Sequence, residues 1–187
     1  MRLVSLVFIT LAFFSGNTLA ASANAFDDLN KMQAAMSKVH SYKSTVTWTI
    51  NSKTTVTQVE VVNPNRFHTS GFGGALQFIG VGRIYWFHTA KQSWTKITNV
   101  PGMSMISTVT GVIQFNNPNK YNASHLGMRG GYRAVLVKDK EGKFQATLYL
   151  QRDNLLAAAD IRGGRNNTGH ITYGSYNAPL SIQPPTK

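Results

Sequence analysis

Three patterns of apolar residues follow one another along the first part of the chain. Residues 3–14 form a predominantly apolar run. Within residues 26–40 the apolar side chains recur every three or four positions, which predicts one amphipathic helix. Over residues 42–50 apolar and polar residues alternate, which predicts a strand with one buried face and one wet face. The pattern therefore separates an N-terminal apolar segment from a helix and the first strand of a sheet.

Alternation with a period of two returns along most of the remaining chain, and turn-forming residues separate its segments. A second run at helical spacing predicts a short or irregular helix over residues 101–115, and residues 116–122 predict a polar loop. The other predicted strands and extended segments are residues 54–62, 66–70, 76–79, 82–88, 93–97, 132–138, 144–151, 155–163, 170–175 and 180–183.

These elements predict a mainly β (α+β) fold: one curved antiparallel sheet of about nine to eleven strands, with an N-terminal helix and a lid helix over its concave face. A sheet of so many strands must curl, and the curled sheet encloses more space than one helix fills. Such a half-barrel provides a ligand cavity. Methionine suits an irregular apolar partner and also an ordinary core, so both roles stay open for Met32, Met36, Met103 and Met105.

The N-terminal segment has the three parts of a secretory signal peptide: a basic start, the apolar run and a region of small residues. We expect residues 1–25 to be this signal, cleaved after Ala20, Ala23 or Ala25, and residues 26–187 to be one domain. A membrane anchor is the alternative, but the run is shorter than the ~20 residues that cross a bilayer. Because the chain has no cysteine, it has no site for N-terminal lipid modification. These features predict an exported, soluble protein of the periplasm.

The charge of the chain is strongly basic. Its 19 Lys and Arg residues and 7 Asp and Glu residues give a formal net charge of +12. Such a surplus favours an anionic partner, which could be nucleic acid, lipid headgroups or an acidic protein. Export argues against nucleic acid and favours an anionic membrane surface as the partner.

Residues that carry chemistry are few and scattered. Among the acidic residues, Glu60 and Asp160 fall inside predicted strands, but their spacing does not pair them for general acid–base catalysis. The histidines lack the spacing of zinc ligands, and the glycines form no phosphate-binding motif. We therefore predict no catalytic residue, no metal site and no cofactor, and we do not expect an enzyme.

Several segments, taken in order, resemble the LolA/LolB-like lipoprotein-carrier superfamily. That group includes the periplasmic lipoprotein chaperones, the mycobacterial lipid-binding lipoproteins of the LppX/LprG type and the sensor domain of RseB. The resemblance covers nearly all of the chain after the signal peptide. The matching segments are the N-terminal helix, the strand over residues 42–50, the step Asn63-Pro64-Asn65-Arg66-Phe67, the strand over residues 82–87, the helix after Pro101 and the closing residues 173–182.

The resemblance implies an antiparallel half-barrel whose concave face, covered by helices, holds acyl chains. It implies a monomeric periplasmic carrier that moves a lipid or an acylated lipoprotein from an inner-membrane transporter to an outer-membrane acceptor. Arg66 matches the basic residue that helps to latch the lid in some members. Two departures, the missing lipid-modified cysteine and the short chain after Ile182, favour a general lipid carrier over a lipoprotein shuttle.

The alternating apolar residues predict the wall of the cavity, and the second helix predicts its lid. Both faces of the strand over residues 82–88 are apolar, so the inward residue of that strand stays open. The predicted ligand-binding residues are Val46, Trp48, Ile50, Phe67, Trp86, Leu148 and Leu150 in the wall, and Met103, Met105, Ile106 and Val109 in the lid.

In a second hypothesis, the basic surface binds the partner, and the interior of the sheet is an ordinary packed core without a ligand. Lys138, Lys140 and Lys143 surround one predicted turn, and Arg129 and Arg133 lie near the start of one strand. Such a surface would make the protein an envelope sensor or interaction module that binds an acidic protein or an anionic glycolipid. A solvated basic face without a partner explains the same residues, so the sequence leaves both interpretations open.

Overall fold

The computed structural model describes residues 24–63, 65–71, 74–82, 84–89, 93–98, 115–164 and 167–186. Within these residues the chain forms one α-helix and eleven β-strands. Their bounds are α1 Ala25–Met36, β1 Ser41–Ile50, β2 Lys53–Val62, β3 Arg66–Gly71, β4 Leu76–Val81, β5 Ile84–Thr89, β6 Thr95–Thr98, β7 Tyr121–Arg129, β8 Tyr132–Asp139, β9 Gln145–Leu150, β10 Leu156–Arg162 and β11 Thr168–Gly174.

All eleven strands belong to one curved antiparallel sheet, in the order β6-β5-β4-β3-β2-β1-β11-β10-β9-β8-β7. Two meanders, β1 to β6 and β7 to β11, therefore meet where β1 pairs with β11. The edges of the sheet are β6 and β7. The predicted fold class, a mainly β chain with a single curved antiparallel sheet and an N-terminal helix, is confirmed.

Strand register divides the side chains between two faces of the sheet. We name the face that α1 covers the inner face; it contains Tyr42, Val46 and Trp48 of β1 and the residues in register with them on each neighbouring strand. The outer face contains the intervening residues, such as Lys43 and Thr45. Apolar side chains dominate the inner face of both meanders, including Val59, Val61, Phe67, Val135, Val137, Leu148, Leu150, Ile161 and Ile171.

The local sequence explains where α1 begins. The side chain of Asn24 accepts a hydrogen bond from the backbone N–H of Phe26 at 3.0 Å, which caps the helix. Asp27 and Asp28 lie in the first turn, where negative charge interacts favourably with the helix dipole. The buried residues of α1 that pack on the inner face include Leu29, Met32 and Met36.

α1 ends at Met36, before the predicted end at His40, because the residues that follow bond to other parts of the chain. The backbone N–H of His40 donates to the side chain of Asn177 at 2.8 Å. The side chain of Asn63 donates to the carbonyl oxygen of Val39 at 2.6 Å. These long-range bonds replace the helical ones and direct the chain into β1.

A buried ion pair joins α1 to the sheet. The carboxylate of Asp28, whose side chain is 5% exposed, accepts a hydrogen bond from Nη1 of Arg133 on β8 at 2.9 Å. Nδ1 of His125 on β7 lies 3.8 Å from the other oxygen of Asp28. Arg133 also donates to the side chain of Asn154. Because a buried carboxylate needs a partner, these contacts hold the first turn of α1 against β7 and β8.

The structure corrects the sequence prediction at β7. Residues 121–129 form this strand, whereas the sequence predicts a loop over residues 116–122 and no strand between residues 116 and 131. β7 is an edge strand with a bulge between His125 and Gly127, and its Asn, Ser and Gly residues have low strand propensity, so pairing with β8 determines its conformation. The predicted extended segment, residues 180–183, pairs with no strand of the sheet, and its Ile182 is buried.

The predicted lid helix falls mainly outside the described residues, which omit residues 99–114. No helix in the described part of the chain is long and apolar enough to cross a bilayer.

The ion pair of α1 generates a stability prediction. Arg133→Gln leaves the buried Asp28 carboxylate without its cation, and we expect a loss of about 2 kcal/mol in the free energy of unfolding, since a buried unpaired charge is costly. Urea denaturation of the purified protein measures this loss.

Lys143→Gln is the matched control, because Lys143 pairs with Glu141 at 2.7 Å on the surface, where both side chains are more than two-thirds exposed. This variant should unfold within about 0.5 kcal/mol of the unchanged protein. Equal losses in the two variants would contradict the role assigned to Arg133.

Candidate functional site

Part of the inner face is a closed core beneath α1. Leu148 and Leu150 of β9, both predicted as wall residues, are each 1% exposed and belong to the same cluster as Leu29, Met32 and Met36 of the helix. Their side chains fill the space between helix and sheet. This part of the inner face is occupied by the protein itself.

The inner face opens along β1, away from the helix. Tyr42 at the start of the strand is 1% exposed, Val46 and Trp48 are half-buried, and Ile50 at the end is 50% exposed. All four side chains lie on the same face of the sheet, because they alternate along one strand. The far end of β1 therefore presents apolar surface that the described residues leave partly uncovered.

Two aromatic rings of this face lie flat on glycines of neighbouring strands. Trp48 covers Gly169 on β11, where an added Cβ would be 2.6 Å from the ring. Phe67 covers Gly80 on β4, where a Cβ would be 2.2 Å from the ring. Glycine at these positions leaves room for the rings to lie along the sheet, and they form a low apolar floor.

The inner face of β3 to β5 is lined by four aromatic side chains. The rings of Phe78 and Tyr85 stack at 5.8 Å, and Phe67 lies 5.5 Å from Phe78. Phe87 contacts Phe78 edge-on, with ring centroids 6.5 Å apart. Phe67 was predicted from the sequence, whereas Phe78, Tyr85 and Phe87 were missed.

Trp86 does not lie on this face, contrary to the prediction. It pairs with Ile79 and Lys96, which belong to the outer face, while its neighbours Tyr85 and Phe87 point inward. The physical reason is register: shifting one position along a strand reverses the face. The face of Trp86 follows from that of Phe67 only if the number of residues in each intervening turn is known. The apolar pattern does not determine those turn lengths.

Arg66, predicted as a lid latch, is on the outer face and holds the C-terminal segment. Its Nη1 donates to the carbonyl oxygen of Ile182 at 3.1 Å. The predicted lid residues Met103, Met105, Ile106 and Val109 lie outside the described residues, so their role stays a prediction. Phe115, which follows that segment, is buried and stacks on Phe144 at 5.6 Å.

The outer face has a different chemistry, with a polar groove of about 620 Å³ over β9, β10, β11 and β1. Asp160 lies in this groove, with Tyr149 and His170 bonded to its two oxygens, each at 2.6 Å. The alternating pattern predicts Asp160 inside a strand but gives no signal for these partners, because they lie on two other strands. Among the described residues, no cluster of three or more His, Asp or Glu side chains could hold a metal ion.

Comparisons with known proteins agree with the observed architecture. No protein-family model and no curated protein sequence matches the chain. Among solved structures, the lipoprotein LppX of Mycobacterium tuberculosis is similar with a TM-score of 0.56 at 14% identity, over 85% of this chain and 98% of LppX. LprF from Mycobacterium bovis gives a TM-score of 0.56 at 14% identity, over 87% of this chain and 97% of LprF.

MucB is similar with a TM-score of 0.57 at 16% identity, over 87% of this chain and 62% of MucB. Identities this low establish the fold and leave the function to be argued from the site. The chain therefore has the same fold as LppX and LprF, the half-barrel fold that the sequence resemblance implies.

Proposed function

We propose that the protein binds the acyl chains of a lipid or an acylated lipoprotein on the inner face of the sheet and carries them between envelope membranes. The observation that carries this proposal is the rise in exposure along β1, from Tyr42 at 1% to Ile50 at 50%, on a face where apolar side chains predominate. Val46, Trp48 and Ile50 are the wall residues in this proposal, with the half-buried Phe78 and Phe87 added from the structure. Phe67 and Tyr85 are buried and pack beneath that wall.

Burial of one acyl chain supplies enough free energy for binding. A chain of roughly 16 carbons gains on the order of 12 kcal/mol when it leaves water, at ~0.8 kcal/mol per methylene, before the cost of ordering it. The ring of Trp48 favours this role, because it is half-buried and covers Gly169 of the neighbouring strand. An extended chain would lie over this ring.

The inner face also offers a polar group for the ester or amide of a lipid. Thr69 of β3 is in register with Phe78, so it belongs to this face. Its buried hydroxyl has no hydrogen-bond partner in the described part of the protein. Because a buried hydroxyl gains free energy from a partner, a ligand oxygen beside Thr69 would bind there.

We place the carrier in the periplasm, as a monomer without a lipid anchor, receiving its ligand from an inner-membrane transporter and delivering it to an outer-membrane acceptor. The predicted signal peptide and the absence of cysteine support this location. The basic surplus supports contact with anionic membrane surfaces during transfer.

Processing of the signal peptide generates one prediction. Asn24 caps α1 and Ala25 is buried in the core, so cleavage after Ala25 would remove both the cap and a core residue. We therefore expect cleavage after Ala20 or Ala23. The intact mass of the exported protein distinguishes the sites, and a mature chain that starts at Phe26 would contradict this expectation.

Ligand binding generates a second prediction. Native mass spectrometry of the gently purified protein should detect bound molecules that release fatty acids on hydrolysis. Val46→Arg places a charge on the inner face and should reduce the bound fraction at least tenfold, because an unpaired charge beside an acyl chain is costly. Val46→Phe, which fills space without adding charge, should also reduce it.

Thr45→Arg is the matched control, since Thr45 is the half-buried neighbour of Val46 on the outer face. It should keep its ligand, and circular dichroism should show that all variants are folded. An unchanged protein without acyl ligands, or equal loss in the Val46→Arg and Thr45→Arg variants, would contradict the proposal.

A further inference from the structure

The polar groove of the outer face lies on the opposite side of the sheet from the proposed acyl site. It follows β9, β10, β11 and β1 and extends to the end of β7, with a volume of about 620 Å³. A groove of this size is in the range of small-molecule sites. Because this groove is on the outer face, it is not continuous with the proposed acyl site and is a separate candidate binding site.

Strand register arranges hydrogen-bonding side chains of the groove in two parallel rows. In the first row, Asp160 of β10 is opposite His170 of β11 and Thr147 of β9, and His170 is opposite Thr47 of β1. The second row, two residues further along each strand, consists of Gln145, Arg162, Thr168 and Thr49. Neighbouring strands lie about 4.8 Å apart, so the rows offer closely spaced donors and acceptors.

Hydrogen bonds fix the centre of the groove before any ligand binds. Oδ2 of Asp160 accepts from the hydroxyl of Tyr149, and Oδ1 lies 2.6 Å from Nδ1 of His170. Burial alone would raise the pKa of the Asp160 carboxyl, but the hydrogen bonds from Tyr149 and His170 outweigh it and lower that pKa. The bond to Asp160 raises the pKa of Tyr149. The network is thus held by an ionised carboxylate and a protonated phenol at neutral pH.

Two arginines flank this network. Arg129 of β7 and Arg162 of β10 both line the groove. Within the described part of the chain, neither guanidinium lies within ion-pair distance of a carboxylate. A guanidinium binds phosphate or carboxylate with two parallel hydrogen bonds. The groove therefore combines anion-binding groups with rows of hydroxyl and amide groups.

We propose that the outer groove binds an anionic saccharide, a sugar that carries a phosphate or a carboxylate. Arg129 and Arg162, at opposite ends of the groove, offer two positions for the anionic group, while the threonines, Gln145 and the Asp160 network bond to the sugar hydroxyls. Such a sugar occurs free or as the headgroup of a glycolipid, and both present the same chemistry to the groove. This site is independent of the acyl site, so either can fail without the other.

The test compares a sugar phosphate with the uncharged sugar and with phosphate alone, so that the contributions of the charge and of the sugar are measured separately. The purified protein, labelled with ¹⁵N, is titrated with glucose 6-phosphate, glucose and inorganic phosphate while amide shifts are recorded. We expect glucose 6-phosphate to bind tightest and to shift the amides of Tyr149, Asp160 and His170. Equal binding of inorganic phosphate, or shifts spread over the whole basic surface, would overturn the proposal.

Substitutions assign the effect to the groove. Arg129→Gln combined with Arg162→Gln should weaken glucose 6-phosphate binding at least tenfold, since each charged hydrogen bond contributes substantially to affinity. Lys138→Gln combined with Lys140→Gln removes the same charge from exposed residues that do not line the groove and should change affinity less than twofold. Equal weakening in the two double variants would show a general charge effect and overturn the proposal.

Vesicles distinguish the source of the sugar. Phosphatidylcholine vesicles that display a phosphorylated glucosamine glycolipid are compared with vesicles that display phosphatidylglycerol, by co-sedimentation. Binding to the glycolipid vesicles that the groove variant loses supports a membrane source, and binding of glucose 6-phosphate alone supports a free sugar. Equal binding to both vesicles with no loss in the groove variant, together with no sugar-phosphate binding, would overturn the site.

Discussion

Covering the inner face of the sheet is the constraint on which the rest of the molecule depends. Eleven strands in one open sheet present a long apolar face, and the helix of the described residues closes it over part of its width. The buried pair of Asp28 and Arg133 holds that helix over β7 and β8. Apolar surface at the far end of β1 is left partly exposed, and this is the surface that the proposed acyl ligand would cover.

The same sheet presents two chemistries, because successive side chains of a strand point to opposite faces. Inward residues are mostly apolar, and two of their rings cover glycines, whereas the outward residues over β9, β10, β11 and β1 include threonines, an arginine and the Asp160 network. The surplus of basic residues indicates an anionic partner, and the structure shows where two of those residues lie. Part of it is directed into a polar groove where Arg129 and Arg162 lie beside fixed hydrogen-bonding groups.

Sequence patterns predict the helix, ten of the eleven strands and the apolar face of β1, because alternation over ten residues leaves one choice of face. They fail at β7, where a bulge and weak propensity hide a strand that pairing with β8 creates. They also fail at Trp86, where both faces are apolar and register alone decides. Contacts between side chains of neighbouring strands, such as those of Asp160 with Tyr149 and with His170, have no local signal in the sequence and arise from the strand pairing.

The central claim, that acyl chains lie on the inner face, is tested most directly by bromine quenching of tryptophan fluorescence. One variant keeps Trp48 and replaces Trp86 and Trp94 with Phe; the other keeps Trp86 and replaces Trp48 and Trp94. Both are loaded with a brominated fatty acid, and native mass spectrometry of the same samples verifies that it is bound. We expect strong quenching of Trp48 and little quenching of Trp86, because the two rings lie on opposite faces of the sheet. Unquenched Trp48 in the loaded protein, or Trp86 quenched as strongly as Trp48, would contradict the central claim.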